Sequence, residues 1–283
     1  MWPKSATIFG ISPKAQFPVE QLEAARFVPV GDLQLTSCGF VPIQGELAYR
    51  QGKHLLLRFM TEKKHLPGSA VAVKLEERCA ALEDEQGFPP GKKARKELKE
   101  RIVDELLPRA LSSRRTTLVW IDQVQHRIVI DSTSNSVVDE ILKTLRKTFT
   151  GELGICDVSW PRDKVITEWV NDEAPHDFTL DDSLVVQYPG AKGKVVKFER
   201  GSCDDTDVMD SLQRGAVVQS VAMTFGSRLS FVMTDNNQIR KLRALDVLQE
   251  GRDAEKDVDR FAGDVELMTR ELGVLIDRLV REA

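Results

Sequence analysis

LLPRALSSRRTTLVWIDQVQHRIVIDSTSNSVVDEILKTLRKTF, residues 106–149, is the stretch from which the fold can be read outward. Pro108 cannot continue the charged helix that precedes it, so a basic loop carrying Arg109, Arg114 and Arg115 is expected next. Residues 116–121 are rich in β-branched residues, with Trp120, and predict a strand; residues 127–130 predict a second. The five residues Asp122-Gln123-Val124-Gln125-His126 form a hairpin connection of ordinary length. Residues 131–135 offer N-caps, after which Val138, Ile141, Leu142, Leu145 and Phe149 fall on one helical face. The unit predicted is a hairpin with a covering helix. It has basic groups at both ends: the arginines before it and Lys143, Arg146 and Lys147 on the helix.

Upstream, residues 6–11, 27–30, 39–43 and 54–60 predict strands, and Pro18 opens a short amphipathic helix. Residues 70–86 and 92–107 predict two helices with thin apolar stripes: Val71, Leu75, Cys79 and Leu82, then Ala94, Leu98, Ile102 and Leu106. The five residues 87–91, Gly-Phe-Pro-Pro-Gly, separate them, which describes an αα-hairpin. Such thin stripes need another surface, either a partner chain or the hairpin's own domain. Downstream, Trp160-Pro161 marks a boundary. Residues 164–170 fit either a helix or a strand, residues 184–187 and 194–198 predict strands, and a short helix runs to Arg214 with Gly215 ending it. Residues 216–224 and 228–234 alternate as a hairpin, followed by a weaker strand at 238–242. In the last helix Val258, Phe261, Val265, Met268, Leu272, Leu275 and Leu279 step by 3, 4, 3, 4, 3, 4. That is an a/d seam, which either packs on its own domain or meets a second chain.

The chain has 283 residues, 41% hydrophobic and 30% charged, which excludes a disordered polymer. A net charge of −4 argues against a small, uniformly basic DNA binder, but forty Lys and Arg can still gather on one face. Cys38, Cys79, Cys156 and Cys203 lack CxxC spacing, so reduced and mostly buried thiols are expected rather than a zinc site. Met1-Trp2-Pro3-Lys4-Ser5 has no apolar signal core, and no run reaches membrane-spanning length. A cytoplasmic protein with no membrane partner is expected.

Asp122, Asp131 and Glu140 make the best case for a Mg²⁺-dependent nuclease, but they match no nuclease spacing and suit turn and cap chemistry. His54, His65, His126 and His176 stand at no ligand or catalytic spacing, and Ser112 and Ser113 lack a nucleophile elbow. The run Gly190-Ala191-Lys192-Gly193-Lys194 is not a Walker loop. No enzyme, metal or cofactor is expected. Five basic runs remain: Lys92-Lys93-Ala94-Arg95-Lys96, Arg109 with Arg114-Arg115, Lys143-Arg146-Lys147, Lys192-Lys194-Lys197-Arg200, and Arg240-Lys241-Arg243. Facing one way, they would contact phosphates with little sequence preference. Aromatic residues are 6% of the chain and absent between Leu111 and Trp120, which argues against single-strand stacking.

The motifs LLPRA at 106–110, WID at 120–122, VID at 129–131 and LRK at 145–147 resemble the RdgC family of recombination-associated proteins. ITEWV at 166–170, SFVMTD at 230–235, IRKL at 239–242 and ELMT at 266–269 continue the resemblance in order over nearly the whole chain. It implies an α+β fold and a ring-shaped homodimer encircling double-stranded DNA. Its parts would be a β-rich central body (1–68 and 116–163), a helical-hairpin tip (69–115) and a C-terminal base with the last helix (164–283). It also implies association with the nucleoid and restraint of the RecA recombinase. The expected DNA contacts are Lys92, Lys93, Arg95, Arg109, Arg114, Arg115, Lys192, Lys194, Lys197 and Arg200. The expected dimer contacts are Phe261, Val265, Met268, Leu272, Leu275 and Leu279. No aromatic wedge role carries over to the arginine loop, where arginines and threonines stand, and Gly201 follows Arg200 where a polar side chain would be useful. The alternatives are a protein-interaction module with incidental DNA binding, or a Mg²⁺-dependent nuclease. A pull-down surviving nuclease treatment discriminates the first, cleavage in Mg²⁺ the second.

Overall fold

A computed structural model describes residues 2–190, 193–199, 205–248 and 257–283. The strands are β1 (Ala6–Gly10), β2 (Thr36–Val41), β3 (Ala48–Gln51) and β4 (His54–Lys64), then the helices α1 (Gly68–Gln86) and α2 (Lys92–Leu106). Next come β5 (Ser112–Asp122), β6 (Arg127–Ile130), α3 (Asn135–Thr148), β7 (Cys156–Asp157) and α4 (Asp163–Asn171). The chain ends with β8 (Phe178–Gln187), β9 (Val195–Glu199), α5 (Thr206–Gln213), β10 (Val217–Phe225), β11 (Leu229–Thr234), β12 (Gln238–Ala244) and α6 (Asp257–Arg281). The class is α+β, built on extensive antiparallel pairing. Among the described residues no helix is long and apolar enough to cross a membrane.

The chain divides into two compact units. The first contains Met1–Pro18, Ala48–Leu57 and Leu118–Ala283; the second contains Val19–Leu47 and Arg58–Thr117. In the first, the strand order is β5-β6-β1-β12-β11-β10-β8-β9, with β7 beside β1. The hairpin read from the sequence is present: Val119 faces Ile130 and Asp122 faces Arg127. Residues Val138, Ile141, Leu142, Leu145 and Phe149 are buried, so the covering helix uses the face its spacing specified. Phe149 meets Phe17 edge to face at 5.1 Å. Toward the C-terminal strands Phe178 gathers Trp169, Phe225 and Phe231 into one aromatic core.

Residues 164–170, left between helix and strand, lie in α4, where Ile166, Trp169 and Val170 are buried. In α6, Val265, Met268, Leu272, Leu275 and Leu279 are buried within their own chain, and Phe261 meets Tyr49 at 4.8 Å. The Val258 side chain lies outside the described residues.

In the second unit β2 pairs with the outer half of β4, Phe40 facing Phe59. The expected strand at 27–30 does not form. The chain meets β2 through one bridge, Arg26 to Phe40, and a hydrogen bond from Ser37 Oγ to the Val28 carbonyl, and it crosses directly over Gly39. A Cβ at Gly39 would lie 2.6 Å from the Phe27 backbone, so only glycine permits this crossing. The helical hairpin is present, and Gly87 ends α1 in the left-handed conformation at φ 78°. Its stripes are thinner than expected: Val71, Cys79 and Ile102 are buried, but Ala94 is exposed. The ion pairs Arg78–Glu105 and Arg95–Glu76 cross between the two helices. Of the free thiols Cys38, Cys79 and Cys156, only Cys79 is buried, which corrects the expectation for this set. Cys203 lies outside the described residues.

Candidate nucleic-acid interface

The arginine loop is not a loop. Leu107–Arg109 is a 3₁₀ turn with Pro108 in its first positions, where a missing N–H costs nothing. From Ser112 the chain is already in β5, four residues earlier than the β-branched run indicated. Arg114 and Arg115 therefore stand on a strand, on alternate faces. Arg114 is engaged: its Nε lies 3.2 Å from Glu62, and its guanidinium covers the Phe27 ring at 5.6 Å. Arg115 is exposed. The two arginines, adjacent in sequence and both exposed, have different surroundings.

Glu62 is the reason. It is buried on β4, accepting hydrogen bonds from Ser112 Oγ at 2.6 Å and from the Val30 N–H at 3.1 Å. Those two bonds, followed by Arg114, hold its carboxyl below the ordinary carboxylate range. Lys64, two residues on, places its ammonium on the carbonyls of Gly31 and Asp32 at 2.8 Å. Of the expected DNA contacts in this unit, Lys92, Lys93 and Arg95 at the start of α2, and Arg109 and Arg115, are exposed, among other surface cations. Arg95 is paired with Glu76.

In the first unit, Lys194 is exposed just before β9, and Lys197 on β9 pairs with Glu199. Lys192 and Arg200 lie outside the described residues. On β12, which lies between β1 and β11, Arg240, Lys241 and Arg243 are all exposed; the sequence already placed the first two on its strand at 238–242.

The carboxylates considered for metal chemistry have structural partners. Asp122 is buried, bound to Arg127 through Oδ2 and to the N–H groups of Val124 and Gln125 through Oδ1. Asp131 accepts from the N–H groups of Lys4 and Ser5 and from Ser5 Oγ. Burial nevertheless raises its pKa above the ordinary value, outweighing those bonds. Among the described residues no group of three or more His, Cys, Asp or Glu is arranged to hold a metal ion. The histidines are dispersed: His54 accepts from Trp120 Nε1 at 3.3 Å, His65 bonds Ser113, and His176 pairs with Asp177.

The expected dimer contacts are, with the exception of Phe261, buried within the single chain. The covering of α6 includes an ion network the sequence did not reveal. Arg127, itself buried, reaches Asp277 at 2.6 Å and the Gly273 carbonyl at 3.4 Å, besides Asp122. Trp120 lies under its guanidinium at 5.6 Å. The apolar side chains left open in the second unit include Val73 on α1, Phe88 between the two helices and Leu111.

Residues 1–282 match a family model described as "Putative exonuclease, RdgC". A protein of Janthinobacterium sp. (strain Marseille), named recombination-associated protein RdgC, is 36% identical over 290 aligned positions, covering 99% of this chain and 97% of the relative. The protein of that name from Bordetella parapertussis is also 36% identical with the same coverage. The one from Paraburkholderia phymatum is 35% identical, covering 99% of this chain and 95% of its own length.

Proposed function

The chain belongs to the RdgC family of recombination-associated proteins, and from that premise we propose that it binds duplex DNA without sequence preference as a homodimer. The family match along almost the whole chain is the observation that carries the reading. In this reading the dimer closes a ring around DNA, with tip, body and base parts, in the nucleoid. Coating the duplex would restrain RecA-mediated recombination. Of the expected contacts, the exposed cations Lys92, Lys93, Arg109, Arg115 and Lys194 can meet phosphates, joined by Arg95 and Lys197 at the cost of their carboxylate partners. Lys192 and Arg200 complete the proposed set. Arg114 contributes through position, by holding Glu62. The α6 seam, filled by its own unit, would support a dimer surface from behind; the open Val73 and Phe88 offer the helical hairpin as the other contact.

Fluorescence anisotropy with two duplexes of equal length and scrambled sequence tests this. Equal affinity for both is expected, with a loss on both when Arg109 and Arg115 are changed to Glu. A strong preference for one sequence, or no binding to either, would overturn the reading.

The word exonuclease in the family description favours a second reading, Mg²⁺-dependent trimming of DNA ends. An end-labelled duplex incubated with wild-type protein and Mg²⁺ is expected to stay intact. Reproducible shortening would establish the second reading. The variant Asp122→Ala is a poor control for it, because Asp122 holds the buried Arg127.

A further inference from the structure

The strand β12 solves a problem that regular alternation cannot. Ile239 and Leu242 are both buried, although residues three apart on a strand face opposite sides. A β-bulge makes this possible: Val232 of β11 faces Arg240 while Ser230 faces Arg243, so Phe231 stands opposite both Lys241 and Leu242. The additional residue is Lys241, at φ 51°. Four other described non-glycine residues have positive φ, namely Gln44, His126, Ser227 and Asn237, and all lie in turns or bends. Among the described non-glycine residues, Lys241 alone adopts it within a strand. Glycine is the residue this conformation favours, so a lysine held there is a strained position and a candidate for a functional side chain.

The bulge puts Lys241 beside Arg243 on the open face of the sheet. Both line a shallow trough of about 270 Å³ whose floor includes Ser183, Ala222 and Ser230. Small side chains let another backbone approach closely, and two hydroxyls stand ready to donate. Asp181, also on the trough, turns its carboxylate to Thr224 Oγ1 at 3.0 Å. Across the sheet, Glu199 is paired with Lys197, and its carboxyl is held low first by that lysine and also by the charge of Lys241. Phe231, the aromatic residue of the lining, is buried in the sheet, so the trough supplies neither a stacking platform nor an exposed aromatic anchor for a protein partner. Two cations, two hydroxyls and a small floor match the phosphates of a nucleic-acid backbone.

We propose that this trough is a phosphate-contacting surface for duplex DNA, separate from the arginines of β5, with Lys241 and Arg243 neutralising backbone phosphates and Ser183 and Ser230 donating to their oxygens. The inference rests on the duplex-binding reading above. The β12 bulge is its positioning device.

The test is a salt series of anisotropy titrations on a labelled duplex, comparing wild type with Lys241→Gln/Arg243→Gln and with Lys14→Gln/Lys53→Gln. The last pair removes the same charge from exposed lysines of the same unit. The trough pair is expected to lower affinity tenfold or more and to flatten the log–log salt slope by about 1.8, two phosphates at roughly 0.9 each. The control pair should leave both unchanged. Lys241→Gly, which relieves the backbone, is expected to melt no lower than wild type yet lose about 0.9 of slope. Equal behaviour of trough and control pairs, or wild-type binding by Lys241→Gly, would overturn the proposal while duplex binding stands. No duplex binding by wild type would overturn both.

Discussion

Glu62 shows how one buried carboxylate divides the labour of neighbouring arginines. Its folded pKa lies below the ordinary value, held there by Ser112, the Val30 N–H and Arg114. The unfolded chain therefore binds more protons at this site, so the stability it contributes is present above the unfolded pKa and is lost as pH falls through the folded one. Asp131 runs the other way: burial raises its pKa, so its contribution favours the folded state at low pH and is lost as pH rises through the folded value. Replacing Glu62 by Gln should lower stability at neutral pH and flatten the loss of stability below about pH 5. Urea midpoints across pH 3 to 7 measure it, and slopes equal to wild type would acquit Glu62. Lys241 yields a second test at this scale. A left-handed residue with a side chain costs about 1–2 kcal/mol, partly offset by the greater freedom of glycine in the unfolded chain. Lys241→Gly should leave stability unchanged or raise it by up to about 1 kcal/mol, read from thermal or urea unfolding.

At the scale of elements, α6 is attached to the β5–β6 hairpin by more than its apolar face. Arg127 is buried between Asp122 and Asp277, over Trp120 and against the helix backbone at Gly273. Removing one partner of a buried pair leaves an uncompensated charge, so Asp122→Ala should cost about 3–5 kcal/mol. An unfolding midpoint close to wild type would mean that water replaces the carboxylate. Met268 and Leu272 are fully buried in their own unit. Changing either to Asp should cost several kcal/mol, as for any unpaired charge in apolar packing. Loss of folding is therefore expected before loss of association. Circular dichroism beside light scattering distinguishes the two: a well-folded Leu272→Asp monomer from a dimeric wild type would put the seam itself in the interface.

For the whole molecule, net charge −4 and nucleic-acid binding are compatible only if the cations are segregated from the acids. Several of the basic residues are in fact neutralised locally, among them Arg78, Arg95, Arg114, Arg127 and Lys197. In the proposed dimer, affinity for DNA would then come from the exposed remainder of both chains. A dimer placing several such cations on B-DNA should give a log–log salt slope of about −5 or steeper. Light scattering should report twice the chain mass at micromolar concentration. A flat salt response would mean that DNA is not the principal ligand, and a monomer would remove the ring.

The sequence by itself determined the strongly periodic elements and their buried faces. The α3 stripe and the α6 seam were legible because helical spacing is a property of neighbours three and four apart, and the β10–β11 hairpin because alternation is equally local. Family membership was legible too, from the order of short motifs along the chain. The early start of β5 was not: Ser112, Ser113, Arg114 and Arg115 carry no strand pattern, and Ser112 and Arg114 take their places from a carboxylate fifty residues away. Nor was the division of the β5 arginines, nor the grip of Arg127 on Asp277, separated by 150 positions. The β12 bulge belongs with these. Whether Lys241 extends a strand or bulges out of it depends on the core demanding both Ile239 and Leu242. Such choices are made where distant segments compete for the same buried space, which only the tertiary structure decides.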